Sequence, residues 1–152
     1  MNIIEENREI EEITVSQMMI SSEKVAHVQL NNPLEHALLV LVKSGYSAVP
    51  VLDTEYKLVG SISKTVILDE ILGLERFEVE RLEDMKVSDV MDKDEVSIKE
   101  NASFIDGLNA VINRPFICVT DENGHFDGIL TRRAILKEFK KEYYTTKNKS
   151  SK

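Results

Sequence analysis

The sequence predicts an α/β fold in which one β-α-β-β-α unit is written twice. Residues 47–68 recur as residues 115–136, with strand-like runs, a turn and a helix start at matching positions. The segment VSQMM at residues 15–19 recurs as VSDVM at residues 87–91. A three-stranded sheet with helices on one face leaves its other face uncovered. We therefore expect the two copies to pack sheet against sheet as one stable structure.

Composition narrows the class of protein. The chain has 152 residues, of which 42% are hydrophobic and 30% charged, as expected for one compact domain or two closely packed halves. Its formal charge of −8 argues against nucleic acid or an anionic membrane as a partner. The single cysteine, Cys118, lies in an apolar run and is predicted to be buried.

The N-terminus does not resemble a targeting signal, because it is acidic and lacks an apolar stretch. The longest apolar run, residues 37–42, is far too short to cross a membrane. A cytoplasmic location is the expectation that follows.

The first half consists of an acidic N-terminal segment, residues 1–14, and a first repeat, residues 15–74. The N-terminal segment permits either a short amphipathic helix at 3–13 or a frayed arm. The predicted elements of the repeat are a helical turn at 15–19 capped by Ser16, a strand at 25–30, a helix from Pro33 to Gly45, strands at 47–52 and 58–62, and a helix at 64–74 capped by Ser63.

The second half repeats this order after a charged connector, residues 75–86, which is predicted to be helical or irregular and exposed. The second repeat spans residues 87–143, and a disordered basic tail follows at 144–152. The predicted elements of the repeat are a strand at 96–98, a helix from Asn101 or Ser103 to Val111, strands at 116–119 and 126–130, and a helix from Thr131 to about Tyr143.

A candidate anion site lies at the start of that last helix. Thr131 is a favourable N-cap, and Arg132 and Arg133 occupy the first helical turn. Helix starts present N–H groups and the positive end of the helix dipole, so cations there are unfavourable for the helix itself. The arginines therefore point to a bound anion, of which phosphate is the usual one. A pair of solvated surface arginines is the alternative.

The repeat resembles the CBS domain, and the whole chain resembles a stand-alone CBS pair, or Bateman module. The resemblance is carried by the two VSxxM openings, by SAVPVLD followed by GSIS, and by FICVTD followed by GILT. It implies tandem CBS repeats related by pseudo-twofold symmetry. Such modules usually form homodimers and bind adenine nucleotides in clefts between the repeats.

In this family a glycine is followed three positions later by Thr or Ser, and three positions further by an Asp that holds ribose hydroxyls. The acid is replaced in both repeats, by Val66 after Gly60 and Ser63, and by Ala134 after Gly128 and Thr131. A nucleotide whose ribose hydroxyls take part in internal phosphodiesters depends less on this acid. The chain accordingly most resembles the small stand-alone CBS proteins of Gram-positive bacteria that bind cyclic di-AMP.

The resemblance assigns nucleotide binding to nine residues: Lys24, Val25, Ala26, Tyr46, Ser47, Ala48, Thr131, Arg132 and Arg133. In this interpretation Tyr46 stacks on adenine, Lys24 supplements the charge on the phosphates, and the small alanines leave room for a base. Glu95, the counterpart of Lys24 in the second repeat, would repel phosphate. One good site per chain is therefore expected.

The resemblance thus predicts a signalling protein that binds cyclic di-AMP and regulates a separate target protein, for which it suggests an alarmone synthetase or pyruvate carboxylase. Two alternatives are an energy sensor that binds AMP or ATP and a ligand-free scaffold subunit. No pattern places a nucleophile beside a base, and the three histidines lack metal-ligand spacing. We therefore expect no enzymatic activity, no metal and no cofactor.

Overall fold

The computed structural model describes residues 8–94 and 96–150. In chain order its helices and strands are α1 (Arg8–Glu11), α2 (Val15–Met18), β1 (Ile20–Ser21), β2 (Val28–Gln29), α3 (Leu34–Ser44), β3 (Ala48–Leu52), β4 (Leu58–Ser63), α4 (Lys64–Ile71), α5 (Arg81–Asp84), α6 (Val87–Val90), β5 (Ser97–Lys99), α7 (Phe104–Val111), β6 (Phe116–Thr120), β7 (Phe126–Thr131) and α8 (Arg132–Ser150). These elements form the mixed α/β structure that the sequence predicts, with β-α-β-β-α in each repeat.

The described residues divide into two compact units. The first-repeat unit comprises residues 26–94 and 123–126, and the second-repeat unit comprises residues 8–25, 96–122 and 127–150. Each unit has its own sheet and its own apolar core.

The sheet of the first-repeat unit has the order β2-β3-β4. Strand β2 is parallel to β3, and β3 and β4 form an antiparallel hairpin. The turn at residues 123–126 joins this hairpin, because Leu58 N donates to Gly124 O at 3.1 Å and Phe126 N donates to Tyr56 O at 2.9 Å. The core contains the buried side chains of Val28, Leu34, Ala37, Leu41, Val49, Val51, Ile62, Ile67 and Val87.

The sheet of the second-repeat unit has the order β1-β7-β6-β5, with β5 parallel to β6 and β1 antiparallel to β7. Its core contains the buried side chains of Ile10, Val15, Phe104, Val111, Ile117, Val119, Leu130 and Ile135. Cys118 is 1% exposed, which confirms the prediction of a buried cysteine.

Each unit contains the opening helical turn of the other repeat. In the second-repeat unit, the N–H of Val15 donates to the carbonyl of Ala102 at 2.9 Å. In the first-repeat unit, the N–H of Val87 donates to the carbonyl of Asn32 at 2.8 Å. A helical turn this short cannot satisfy its own first N–H groups, so the neighbouring loop supplies their acceptors. The compact units therefore differ in membership from the repeats as they run along the sequence.

The helix ends show why local sequence predicts much of this structure. Helix α3 buries Leu34, Ala37 and Leu41 on one face and ends at Gly45, which adopts the left-handed conformation with φ 78°. The predicted caps are confirmed at Ser63 and at Ser103, whose hydroxyls accept hydrogen bonds from Val66 N and Asp106 N, both at 3.1 Å.

Two predictions in the first half are wrong. The cap of α2 is Thr14 rather than Ser16, because Gln17 reaches back and its Oε1 accepts from Thr14 N at 2.9 Å. The strand predicted at 25–30 contains only β2, because residues 22–24 form a 3-10 turn that satisfies the N–H of Val25. Part of the predicted helix at 3–13 lies outside the described residues, and α1 represents the rest.

Two boundaries also differ from prediction. Helix α4 ends at Ile71 instead of residue 74, because a tight turn follows in which Gly73 N donates to Arg76 O at 2.9 Å. Helix α8 continues to Ser150 and replaces most of the tail that was expected to be disordered. Extending a formed helix adds one hydrogen bond for each residue fixed, and lysines are favourable near its C-terminus.

Candidate functional site

The start of α8 carries three of the residues assigned to the nucleotide. The hydroxyl of Thr131 accepts from Ala134 N at 3.0 Å, which confirms the predicted cap. The N–H of Arg132 donates to the carbonyl of Pro115 at 2.8 Å. Two of the N–H groups at this helix start are therefore satisfied within the protein. An anion here would be held mainly by side chains.

The same arrangement occurs at the start of α4 in the first-repeat unit. The hydroxyl of Ser63 accepts from Val66 N, and Lys64 N donates to Ser47 O at 3.0 Å. These contacts correspond one by one to those of Thr131 and Arg132. The structure thus reproduces the internal repeat at the level of individual hydrogen bonds.

The guanidinium of Arg132 caps the C-terminal end of α7. Its Nε donates to the carbonyl of Val111 at 2.9 Å, and its Nη2 donates to the carbonyl of Ile112 at 3.2 Å. The terminal carbonyls of a helix lack intrahelical partners, and α3 meets this need with the left-handed Gly45. Helix α7 has Ile112 in that place, with right-handed helical dihedrals, and Arg132 supplies the donors instead.

Sequence reasoning missed this role of Arg132, because the contact spans 20 or 21 residues and no local signal marks it. The guanidinium has five N–H donors, so its Nη1 edge can still bind an anion while the other edge caps α7. Arg133 is exposed, and its guanidinium makes no hydrogen bond or ion pair within the described residues. The two arginines therefore differ in their surroundings.

Two further assigned residues lie in the second-repeat unit. Lys24 ends the 3-10 turn and is exposed, whereas Val25 is 6% exposed. The side chain of Val25 is therefore part of the packed interior. A ligand could contact Val25 through the backbone of this residue rather than through its side chain.

The other assigned residues lie in the first-repeat unit. Tyr46 follows the left-handed Gly45, is 38% exposed, and donates its N–H to the hydroxyl of Ser44 at 3.3 Å. Ser47 is exposed, and Ala48 begins β3. Ala26 is partly buried against the core of the unit. The structure groups Ala26, Tyr46, Ser47 and Ala48 in one unit, and Lys24, Val25, Thr131, Arg132 and Arg133 in the other.

Close backbone packing explains why the repeated motif has glycine at residues 60 and 128. A Cβ added at Gly128 would collide with the carbonyl oxygen of Ile20 in the paired strand β1. A Cβ added at Gly60 would collide with the carbonyl oxygen of Asp92. Glycine is required at both places because another backbone passes over the strand.

Two carboxylates of the second-repeat unit, Glu100 and Asp127, interact next to Gly128. A hydrogen bond shared with Asp127, and the charge of Asp127, raise the pKa of Glu100. Asp121 and Glu122 add to the negative charge. The Oδ2 atom of Asp127 is buried and has no hydrogen-bond partner among the residues that the structure describes. The protonated form of Glu100 is therefore favoured beside Asp127.

Among residues 8–94 and 96–150, no three His, Cys, Asp or Glu side chains are placed to hold a metal ion. No helix in the described part of the chain is long and apolar enough to span a membrane.

The sequence profile of the CBS domain matches residues 15–73 and 87–141. The chain belongs to the CBS domain family. A relative from Bacillus subtilis strain 168, named cyclic di-AMP receptor B, is 49% identical over 130 residues, which cover 86% of this chain and 88% of the relative.

Two solved structures are similar. A CBS domain-containing protein of unknown function from Bacillus anthracis is 62% identical, with a TM-score of 0.80, covering 88% of this chain and 96% of that one. The CbpB protein of Listeria monocytogenes in complex with cyclic di-AMP is 53% identical, with a TM-score of 0.77, covering 86% of this chain and 98% of that one.

The second CBS repeat contains a pocket that the sequence did not predict. A cavity of about 330 Å³ is lined by residues of β5, of α7 and of the segment after α7, among them Ser97, Asp106, Asn109, Asn113 and Arg114. The internal repeat could have indicated this pocket, because Arg114 occupies the position in the second repeat that corresponds to Tyr46 in the first. Glu95, which was expected to exclude phosphate from this repeat, lies outside the described residues.

Proposed function

We propose that this chain is a receptor for cyclic di-AMP that regulates a separate target protein. The observation that carries the proposal is the start of α8, where the exposed Arg133 follows the cap Thr131 and the first turn contains no acid. A dianionic ligand would relieve the repulsion between these cations and the positive end of the helix. The ligand of the Listeria monocytogenes CbpB structure and the name of the Bacillus subtilis relative support the same nucleotide.

The positions expected to carry the ribose acid support a cyclic dinucleotide over AMP or ATP. Ala134 packs against the core of the second-repeat unit, and Val66 is partly buried at the start of α4. Neither first helical turn contains an acidic residue. A ligand whose ribose hydroxyls are partly esterified loses less from this absence.

Each assigned residue has a proposed role. Arg133 and the outer edge of Arg132 pair with phosphate oxygens, and Lys24 adds a third positive charge. Tyr46, which is 38% exposed, stacks on an adenine ring. Thr131 holds the helix start, and the backbone of Val25 and Ala26 with the small residues Ser47 and Ala48 accommodates a base.

Calorimetric titration with cyclic di-AMP, AMP and ATP, each beside a thermal-shift measurement, tests the ligand. A ligand present at 100 times its Kd adds about 2.7 kcal/mol to the stability of the folded state. For a chain of this size that raises Tm by about 5–10 °C. Preference for AMP or ATP would favour an energy sensor, and no binding of any nucleotide would favour a scaffold subunit.

We propose further that the chain works in the cytoplasm as a homodimer whose nucleotide alters its affinity for the target. Because linkage is reciprocal, the target must change the affinity for cyclic di-AMP by the same factor. Titration of a purified alarmone synthetase and a purified pyruvate carboxylase, with and without nucleotide, measures both sides. Equal target affinity in both conditions would contradict the regulatory proposal.

A further inference from the structure

One residue of the first-repeat unit has a backbone conformation that favours glycine. Tyr56, in the turn between β3 and β4, has φ 66° and is the one residue other than glycine with a positive φ in the described part of the chain. Its counterpart 68 positions later in the second repeat is Gly124, with φ 88°. The left-handed region is costly for a residue with a Cβ, so the first repeat retains a tyrosine where the second has the residue that suits the turn.

The hydrogen bonds of this turn do not require a tyrosine. The Oδ1 atom of Asp53 accepts from the N–H groups of Glu55 and Lys57, at 2.8 and 2.9 Å. The N–H of Tyr56 donates to the carbonyl of Asp53 at 3.1 Å. A glycine at position 56 would make the same backbone contact with less strain. The reason for a tyrosine at this position therefore lies in its side chain.

The ring of Tyr56 packs against two other aromatic rings of the same unit. Its centroid lies 5.5 Å from that of His27, with the ring planes at 83°, and 6.4 Å from that of Phe126. Edge-to-face contacts at such distances are favourable beyond the apolar area that they bury. Tyr56 is nevertheless 37% exposed and is not part of the buried core. The ring contacts thus link a turn at the surface to His27.

His27 adjoins a residue assigned to the nucleotide. Ala26 and His27 lie between the 3-10 turn at residues 22–24 and β2, outside any helix or strand. Strand β2 has two residues and begins at Val28, so it fixes little of the chain before it. The peptide group between Ala26 and His27 is planar, and holding His27 therefore also restricts the direction of the Ala26 carbonyl.

We infer that Tyr56 is a positioning residue for the nucleotide: its ring holds His27, and through His27 the backbone of Ala26, in the conformation that receives the ligand. The inference rests on the cyclic di-AMP receptor proposed above. A disfavoured backbone conformation persists only where the surrounding structure compensates for it, and such residues are found at ligand sites. Without the ring, His27 and Ala26 would sample more conformations, and the apparent affinity would fall with the fraction that can bind.

Calorimetric titration of Tyr56→Gly with cyclic di-AMP tests this role. Loss of the ring contact should weaken binding by about two- to tenfold, whereas Tyr56→Phe, which keeps the ring, should retain the wild-type affinity. Thr54→Gly is the matched control, because Thr54 is exposed in the same turn and glycine adds backbone freedom there too. It should leave the affinity unchanged. The inference is wrong if Tyr56→Gly binds like the wild type, or if Tyr56→Phe binds as weakly as Tyr56→Gly.

A double-mutant cycle shows whether Tyr56 acts through His27. In a His27→Ala background the ring contact is already lost, so Tyr56→Gly should weaken binding no further. Losses that simply add in the double variant would show that Tyr56 does not act through His27, and the inference would fail.

NMR of the wild type supplies a readout that does not depend on how the variants fold. The imidazole resonances of His27 should shift when cyclic di-AMP is added, and those of His36, which is exposed on α3, serve as the internal reference. Unchanged His27 resonances in the saturated protein would overturn the inference and leave the receptor function intact. A wild type that does not bind cyclic di-AMP would refute the receptor function, and this inference with it.

Discussion

Replacing Arg132 and Arg133 one at a time by methionine separates two roles that the sequence alone assigned to both. Methionine keeps much of the side-chain length and removes the charge and the N–H donors. Arg132 makes two hydrogen bonds to the end of α7, whereas Arg133 makes none within the described residues. From the sequence we expect either change to leave stability almost unaltered. For Arg132 the structure corrects this expectation.

The size of the effect follows from these contacts. A cation at a helix C-terminus stabilises by about 0.3–1 kcal/mol, and a charged hydrogen bond by about 1.5–3 kcal/mol when well shielded. Both contacts of Arg132 are at least partly exposed, and its charge also opposes the dipole of α8, so we expect a net loss near 1 kcal/mol. For a chain of this length that lowers Tm by about 2–4 °C.

Arg133→Met should behave differently. Removing a cation from the positive end of α8 should leave Tm unchanged or raise it slightly. Loss of one charged hydrogen bond to phosphate should weaken cyclic di-AMP binding by about tenfold to a hundredfold. Arg132→Met should also weaken binding, but with the loss of stability that Arg133→Met lacks.

Thermal unfolding without ligand and calorimetric titration with cyclic di-AMP measure the two effects. Lys93→Met is the matched control, because Lys93 is exposed and is not among the positions assigned to the nucleotide. If the Arg132→Met protein has the Tm of the wild type, the capping contacts do not contribute to the stability of the fold. Wild-type affinity in Arg133→Met would remove the phosphate role of that residue.

Three further predictions concern other parts of the chain. Tyr46→Ala should keep Tm, since the ring is 38% exposed, but should weaken cyclic di-AMP binding by about fivefold or more in calorimetry; a loss of folding would instead make Tyr46 a packing residue. Gly128→Ala should cost about 1–3 kcal/mol in chemical denaturation, because its Cβ meets the carbonyl of Ile20; unchanged stability would refute the close approach. The pKa of Glu100 is raised in the folded state, so the contribution of this pair to stability is present below the ordinary pKa and is lost as pH rises through the raised one. Asp127→Asn should therefore raise Tm at pH 7 relative to the wild type, with a smaller gain near pH 4, and a gain independent of pH would contradict this account.

Local sequence was sufficient where the interacting groups lie within a few residues of one another. The caps at Ser63 and Thr131 bond to N–H groups three residues ahead, and Gly45 ends α3 through a contact four residues back. These contacts depend on backbone geometry that the residue types favour by themselves. The internal repeat then predicted the order of strands and helices, and with it the α/β fold.

The same local signals were insufficient for the candidate site. They identified Arg132 as a cation at a helix start, but its partners Val111 and Ile112 belong to a different helix. The exposure of Arg133 and Tyr46 could not be read from residue type either. The chemistry of these positions depends on which groups the fold brings near them.

By itself, the sequence determined that one β-α-β-β-α unit occurs twice, where most helices start, and that both first helical turns lack an acid. Only the tertiary structure decided that Val15 packs with the second repeat and Val87 with the first, and that Gly128 must be glycine because β1 passes over it. The physical reason is the distance along the chain. Contacts within one helical turn are set by the residues that make them, whereas contacts between distant segments form only when burial of a shared core brings those segments together.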